Sequence, residues 1–312
     1  VDLGPILDMI ETGIDITPRP EVGHIDNAGS LFYRSAVNGV YGEAGTGKTF
    51  TANAVTVQEL RAGNHVVHID WEAGPTAIIS RLLTAGITPE VLRQQFHYVQ
   101  PETSFAYGGR ALIEFAKKIQ PTLVVIDSTG EAVANEGGNP NADEEIAQWF
   151  QTLPAPLART GAAVVVLDHA AKSEDSARKG PVGSHRKLAA ITGAQYEQRT
   201  GAPFSKVQDG YANLIVKKDR HGTYTKGQIV AQLKVEDGAT RLAITSPTET
   251  FRPTGVMAKV SAALEANDGR ADSFNAVYSE VGGKRAVVKH ALDLLVQEGH
   301  IKQTPGKNRA TK

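Results

Sequence analysis

Gly42, Glu43, Ala44, Gly45, Thr46, Gly47, Lys48 and Thr49 put three glycines, a lysine and two threonines in eight consecutive positions, directly after the apolar run "AVNGVY". The spacing G-x-x-x-x-G-K-T suits phosphate groups. Glycines admit backbone conformations in which successive N–H groups point inward at phosphate oxygens, and a helix that follows adds its N-terminal partial positive charge. Lys48 would neutralise the β- and γ-phosphates, and the Thr49 hydroxyl would hold Mg²⁺. Gly42, Gly45, Thr46, Gly47, Lys48 and Thr49 are therefore expected to bind ATP with its Mg²⁺.

Hydrolysis needs a carboxylate on the metal and a group that orients water. "LVVIDS" (123–128) ends an apolar strand in Asp127, where an aspartate holding Mg²⁺ belongs. "HIDWEAGP" (68–75) offers two acids, Asp70 and Glu72, of which Glu72 is favoured as the water-orienting base. "VVVLDHAAKS" (164–173) ends another strand in Asp168 and His169, and the histidine is placed to bond the γ-phosphate or the water. Further on, "IVKKDRHG" (215–222) sets Lys218 and Arg220 as K-x-R before a glycine, suited to reaching the γ-phosphate of a neighbouring subunit. An exposed strand end is the plainer reading of that pair.

These residues need a scaffold that brings strand ends together. The expected order is strand 36–42, helix 48–62, strand 65–70, helix 76–85, strand 96–100, helix 109–119, strand 122–127 and strand 162–168. The β-branched runs lack alternation, as strands buried on both faces do. Strand–helix alternation predicts an α/β fold with a mainly parallel sheet. Residues 1–35 are expected to form an irregular approach, and Pro154 and Pro156 to break the helix that starts near "NADEEIAQWF". Beyond residue 190 four β-rich segments complete a domain spanning 36–245. Residues 246–254, "SPTETFRPT", are the expected linker.

Composition limits the classes open to the chain. Its 312 residues are 41 % hydrophobic, enough for a sizeable core, and suggest two domains. With 33 basic and 34 acidic residues it is no polycation. There are no cysteines, which removes disulfides, iron–sulfur clusters and cysteine-ligated zinc. No run reaches the ~18 apolar residues of a membrane span, and no signal-peptide pattern opens the chain, so a cytoplasmic protein with no membrane partner is expected.

Two basic regions stand out. The stretch "KSEDSARKGPVGSHRK" (172–187) carries five Lys/Arg and two glycines, and Arg178, Lys179, Arg186 and Lys187 are candidates to grip a nucleic-acid backbone. Residues 255–312 hold nine Lys/Arg against six Asp/Glu and read as helix, helix, turn, helix and hairpin. Ser273 is a candidate N-cap, and Ala286, Val287, Ala291, Leu294 and Leu295 lie near helical spacing on the longer helix. The pattern is that of a winged helix-turn-helix, with Lys284, Arg285 and Lys289 at the start of the second helix and Lys307 and Arg309 on the wing facing DNA. Such modules also dock proteins.

The ordered set "GEAGTGKT", "HIDWE", "LVVIDS", "VVVLDHAAKS", "GS" at 183–184 and "KKDRHG" resembles the RecA-fold ATPases over about 36–245, and among them the ring-forming replicative helicases of plasmid RepA and phage type. The resemblance implies a homo-hexamer with ATP at subunit interfaces. Lys48, Thr49, Glu72, Asp127 and His169 would act in cis, and Lys218 and Arg220 in trans. It also implies single-stranded and forked DNA as partners, held by loops including 172–187. The chain departs from the pattern at Asp168-His169, where RepA-type members carry two histidines. Residues 1–35 are not expected to form a primase or loader-binding domain, and a separate loader or primase is an expected partner. Two other readings share the motifs: a filament-forming recombinase, and an ATP-switched regulator whose winged helix reads an operator.

Overall fold

Strands that are apolar at every position must be covered on both faces. In the computed structural model β3 (Ala36–Gly42), β4 (Val66–Asp70) and β6 (Leu123–Asp127) are buried along their whole length, and β7 (Ala163–His169) at all but its last residue. The structure describes residues 3–101, 105–170, 186–205, 208–247, 254–267, 269–271, 273–297 and 300–301. Its contacts divide the chain into two units, Val1–Pro247 and Thr248–Lys312.

The larger unit is built on one nine-stranded sheet. With β5 (Phe96–Val99), β8 (Ala194–Ala202), β9 (Gly210–Asp219), β10 (Ile229–Glu236) and β11 (Arg241–Thr245), the order is β11-β10-β9-β8-β3-β7-β6-β4-β5. The six strands from β8 to β5 run parallel, and β9, β10 and β11 extend the sheet antiparallel. The α/β class and mainly parallel sheet agree with the sequence.

Helices cover both faces. One face carries α2 (Lys48–Arg61), with α3 (Pro75–Thr84) and α4 (Pro89–Gln95) packed beside it. On the other lie α5 (Phe105–Ile119), α6 (Thr129–Asn135), α7 (Asp143–Thr152), α8 (Pro154–Ala158) and α9 (Arg186–Ala190). The proline pair ends α7, and Pro154 then opens α8, where a missing N–H costs nothing.

The first 35 residues differ from the irregular approach expected. They form α1 (Gly4–Glu11) and a two-stranded sheet of β1 (Val22–His24) and β2 (Ser30–Phe32). Val22, Ile25, Leu31, Phe32 and Tyr33 are buried in the same core as α2, so this segment belongs to the larger unit. The strands are three residues long, too short for periodicity to betray them.

The smaller unit contains α10 (Thr254–Ala266), α11 (Phe274–Val281) and α12 (Arg285–Gln297) around Met257, Val260, Val277, Val288, Ala291 and Leu295. The Ser273 hydroxyl accepts from the Ala276 N–H at 3.3 Å, and Gly282 and Gly283, at φ 66° and 89°, turn the chain between α11 and α12. The buried stripe of α12 runs through 288, 291 and 295. Ala291 and Leu295 agree with the reading from spacing, whereas Ala286 is exposed and Val287 half-buried. Most of the expected linker, and the expected wing beyond Ile301 with Lys307 and Arg309, lie outside the described residues. No helix among the described residues is long and apolar enough to cross a membrane.

Candidate functional site

In an open parallel sheet, loops at the carboxyl ends of the strands form the binding crevice. Here the ends of β3, β4, β6 and β7 converge on the glycine loop. Gly42 ends β3 where a Cβ would stand 2.5 Å from the Gln198 carbonyl oxygen, so only glycine fits. Gly47, at φ 87°, has the Phe204 ring where a Cβ would point. Gln198, fully buried on β8, fastens the loop. Its Nε2 donates to the Thr46 carbonyl at 2.7 Å, and its Oε1 accepts from the Thr51 hydroxyl at 2.8 Å. Sequence reasoning missed Gln198, although a glutamine inside a β-rich run is a visible oddity.

Lys48 is 7 % exposed and donates to the carbonyls of Gly42 and Glu43, each at 3.0 Å. Burial pulls its ammonium below the ordinary lysine range, against the opposing charges of Asp127, Glu72 and Asp168.

The acids at the ends of β4 and β6 take different roles. The Thr49 hydroxyl donates to Asp127 Oδ2 at 2.9 Å. Burial, reinforced by Glu72, pushes the Asp127 carboxyl up to about 6. A hydroxyl beside a buried carboxylate is a donor set suited to Mg²⁺. Thr49 and Asp127 thus fit the ion that the sequence calls for. His68, Asp70 and Asp127 also bring one potential ligand atom each within 4.8 Å of one another. Asp70, however, already accepts four bonds: from the N–H groups of Glu72, Ala73 and Gly74 at 2.8, 3.0 and 2.8 Å, and from the Tyr98 hydroxyl at 2.7 Å. Although burial works the other way, those bonds hold its carboxyl below the usual range. Asp70 builds the loop that presents Glu72.

Glu72 Oε1 lies 3.1 Å from His169 Nε2, and His169 Nδ1 lies 3.4 Å from Lys48 Nζ. An ammonium can only donate, so Nδ1 accepts and the ring proton sits on Nε2, facing Glu72. The bond from His169 holds the Glu72 carboxyl below its ordinary range despite partial burial. Both side chains remain accessible, at 33 % and 42 %. Lys48, His169 and Glu72 therefore form one chain beside the Thr49–Asp127 pair, drawn from α2, β7 and the loop after β4.

Beside the first turn of α2, a cleft of about 230 Å³ is lined by Phe50, Arg81 and the Gly238–Ala239 turn, among others. The Arg81 guanidinium sits 5.2 Å from the centre of the Phe50 ring. Its parts are scattered over the sequence, and no spacing announces them.

Other expected site residues fall elsewhere. Lys187, expected to hold nucleic acid, is 3 % exposed and pairs with Asp168 Oδ2 at 2.7 Å, so it is not a surface cation. Lys218 is turned inward: its Nζ donates to the carbonyls of Leu188, Ala189 and Ile191 at 2.8, 3.4 and 2.7 Å, at the carboxyl end of α9. Arg220 is exposed, with its main-chain N–H bonded to the Gly193 carbonyl. Arg186, Lys284 and Lys289 are exposed. Arg285 stacks on Phe274 and Tyr278 at 4.9 and 5.2 Å and donates to Asn275 Oδ1 at 2.6 Å, which spends much of its donor capacity within its own unit. Arg178 and Lys179 lie outside the described residues.

The family model described as "AAA domain" matches residues 17–175, just over half of the chain. Among solved structures, the chain is similar to a KaiC-like protein from the hyperthermophilic archaeon Pyrococcus horikoshii OT3. The TM-score is 0.53 at 14 % identity, over 72 % of this chain and 97 % of that one. At that identity the likeness is one of fold, a RecA-like P-loop ATPase core. No functionally curated protein matches the chain.

Proposed function

The chain belongs to the AAA-domain family, and from that premise we propose that it is an ATP-driven DNA motor: a ring-shaped replicative helicase that translocates on single-stranded DNA. One observation carries the hydrolytic half, the chain Lys48–His169–Glu72 set beside Thr49–Asp127. Triphosphate oxygens would lie on the loop N–H groups and the amino end of α2, where Lys48, now donating to loop carbonyls, supplies the nearest cation. Mg²⁺, held by Thr49 and Asp127, would neutralise charge on the β- and γ-phosphates. Glu72, kept ionised, accepts the proton of the attacking water, and the Nε2–H of His169 keeps that carboxylate oriented. Arg220, exposed at the end of β9, is the residue for a neighbouring subunit's γ-phosphate in a homo-hexamer, where such a finger contributes about 10³–10⁵ in rate.

The DNA half rests on the order of the motifs and on the basic residues that remain exposed, Arg186, Lys284 and Lys289. A second reading is favoured by the smaller unit, where the Gly282–Gly283 turn joins α11 to α12 around a core of its own, consistent with the expected helix-turn-helix. In that reading the protein is a regulator that binds a specific duplex and is switched by ATP.

Strand displacement on a forked duplex with ATP and Mg²⁺, at stated salt and with Lys48→Ala as control, separates the readings. ATP-dependent separation, lost in the variant, is the expected result. Sequence-specific duplex binding without separation or single-strand stimulation of ATPase would favour the regulator. ATPase stimulated by single strands, again without separation, would point to a recombinase or to a motor that needs a loader.

A further inference from the structure

Asp168 and Lys187 form a buried ion pair that the hydrolytic site does not itself require. The two side chains are 8 % and 3 % exposed. Their carboxylate and ammonium meet at 2.7 Å, and the other carboxylate oxygen, Oδ1, accepts the main-chain N–H of His169 at 2.9 Å. One carboxylate thus holds two things at once: the backbone from which the His169 ring projects, and the first turn of α9. The opposite end of α9 is held by Lys218 through the Leu188, Ala189 and Ile191 carbonyls. The body of α9 packs on α7.

Stability alone is a poor reason for such a pair. Removing two charges from water costs about as much as their attraction returns, and apolar replacements of similar volume are often neutral or stabilising. What a buried pair does supply is a single register, since shifting either partner strands a charge. The register fixed here is that of His169, whose Nε2 contacts Glu72 and whose Nδ1 contacts Lys48.

We propose that Asp168 and Lys187 are positioning residues, whose pair locks the main chain at His169 to α9 and so sets the His169–Glu72 contact needed for turnover. The proposal rests on the ATPase reading of Glu72 and His169.

The test uses the full chain as wild type, Lys187→Met, Lys187→Arg and the double variant Asp168→Leu/Lys187→Met, with His169→Gln and Lys48→Ala as controls. Lys187→Met should lower kcat for ATP by about tenfold or more while KM moves less than about twofold, because the phosphate loop is untouched. Lys187→Arg should recover part of that loss. The double variant should regain the wild-type Tm without regaining kcat. His169 ring resonances, assigned with His169→Gln and recorded without nucleotide, should move in both Lys187→Met and the double variant. Should Lys187→Met fail to fold, the double variant carries the same comparison. Recovery of kcat together with Tm in the double variant, or unmoved ring resonances, would overturn the proposal and leave the pair purely structural. Absence of Lys48-dependent turnover in the wild type would instead sink the ATPase reading, and the ring resonances would still decide the positioning claim.

Discussion

β4 and β7 end alike in sequence and differently in physics. β4 closes on a buried aspartate and β7 carries one just before its last residue, and the chemically exposed group follows one or two residues later: Glu72 after Asp70, His169 after Asp168. Asp70 is satisfied by three N–H groups of its own loop and by Tyr98, all neutral donors, and is held in its charged form. Asp168 is met by the buried ammonium of Lys187 and by one N–H, and burial pushes its carboxyl up. The end of β4 is thus held by the backbone of its own turn plus one hydroxyl from β5, while the end of β7 depends on a single buried cation from α9. Most donors of the first lie within its own loop, and the charged partner of the second does not.

Lys48 touches both ends, directly at His169 and through it at Glu72, so its loss should have the largest effect. Lys48→Ala should cut ATP turnover on the order of 10³-fold or more, measured as phosphate release. Next comes the contrast itself. Asp168→Asn leaves Lys187 buried without a counter-charge and should cost about 3–5 kcal/mol in urea unfolding. Asp70→Asn weakens bonds to neutral donors and should cost about 1–3 kcal/mol. Equal losses would dissolve the distinction between the two ends.

A smaller effect concerns pH. The Asp127 carboxyl stands at about 6 in the folded protein, above an unfolded value of about 3.9, so between these limits the folded state binds more protons. Its contribution to stability is therefore fully present below pH about 4 and is lost as pH rises through about 6. Compared with Asp127→Asn, the metal-free wild type should gain roughly 2 kcal/mol between pH 7 and pH 4.5. Asp70 and Glu72, held low, act in the opposite sense only below their ordinary range. The smallest effect is a control in the smaller unit. Ser273→Ala should cost about 1 kcal/mol in the smaller unit and leave ATP turnover unchanged.

How much of this the sequence disclosed follows the same local–remote divide. The glycine loop, Asp127 and the β-branched strands were legible because each is a spacing or a run, and β3 begins and ends where the apolar pattern placed it. Glu72 was preferred over Asp70 without a view of the four donors that occupy Asp70. Lys187 was misread because a cation inside a basic stretch looks solvated, and only the fold reveals the carboxylate waiting for it. Lys218 was read as reaching outward for the same reason. Gln198 and the Phe50–Arg81 cleft join elements far apart in the chain, and no local pattern encodes such a meeting. On α12 Ala291 and Leu295 lie in the core where the spacing put them, but in the first turn Val288 takes the core position and Ala286, although apolar, is exposed.

The central claim is that Glu72 is the base of an ATP-hydrolysing site whose binding groups lie elsewhere. Single-turnover hydrolysis in Glu72→Gln, paired with the affinity for a fluorescent ATP analogue, tests it most directly. The expected result is a rate lowered by about 10²–10⁴, with affinity changed less than about threefold. Hydrolysis at the wild-type rate would contradict it, and the general base would have to be sought at another residue.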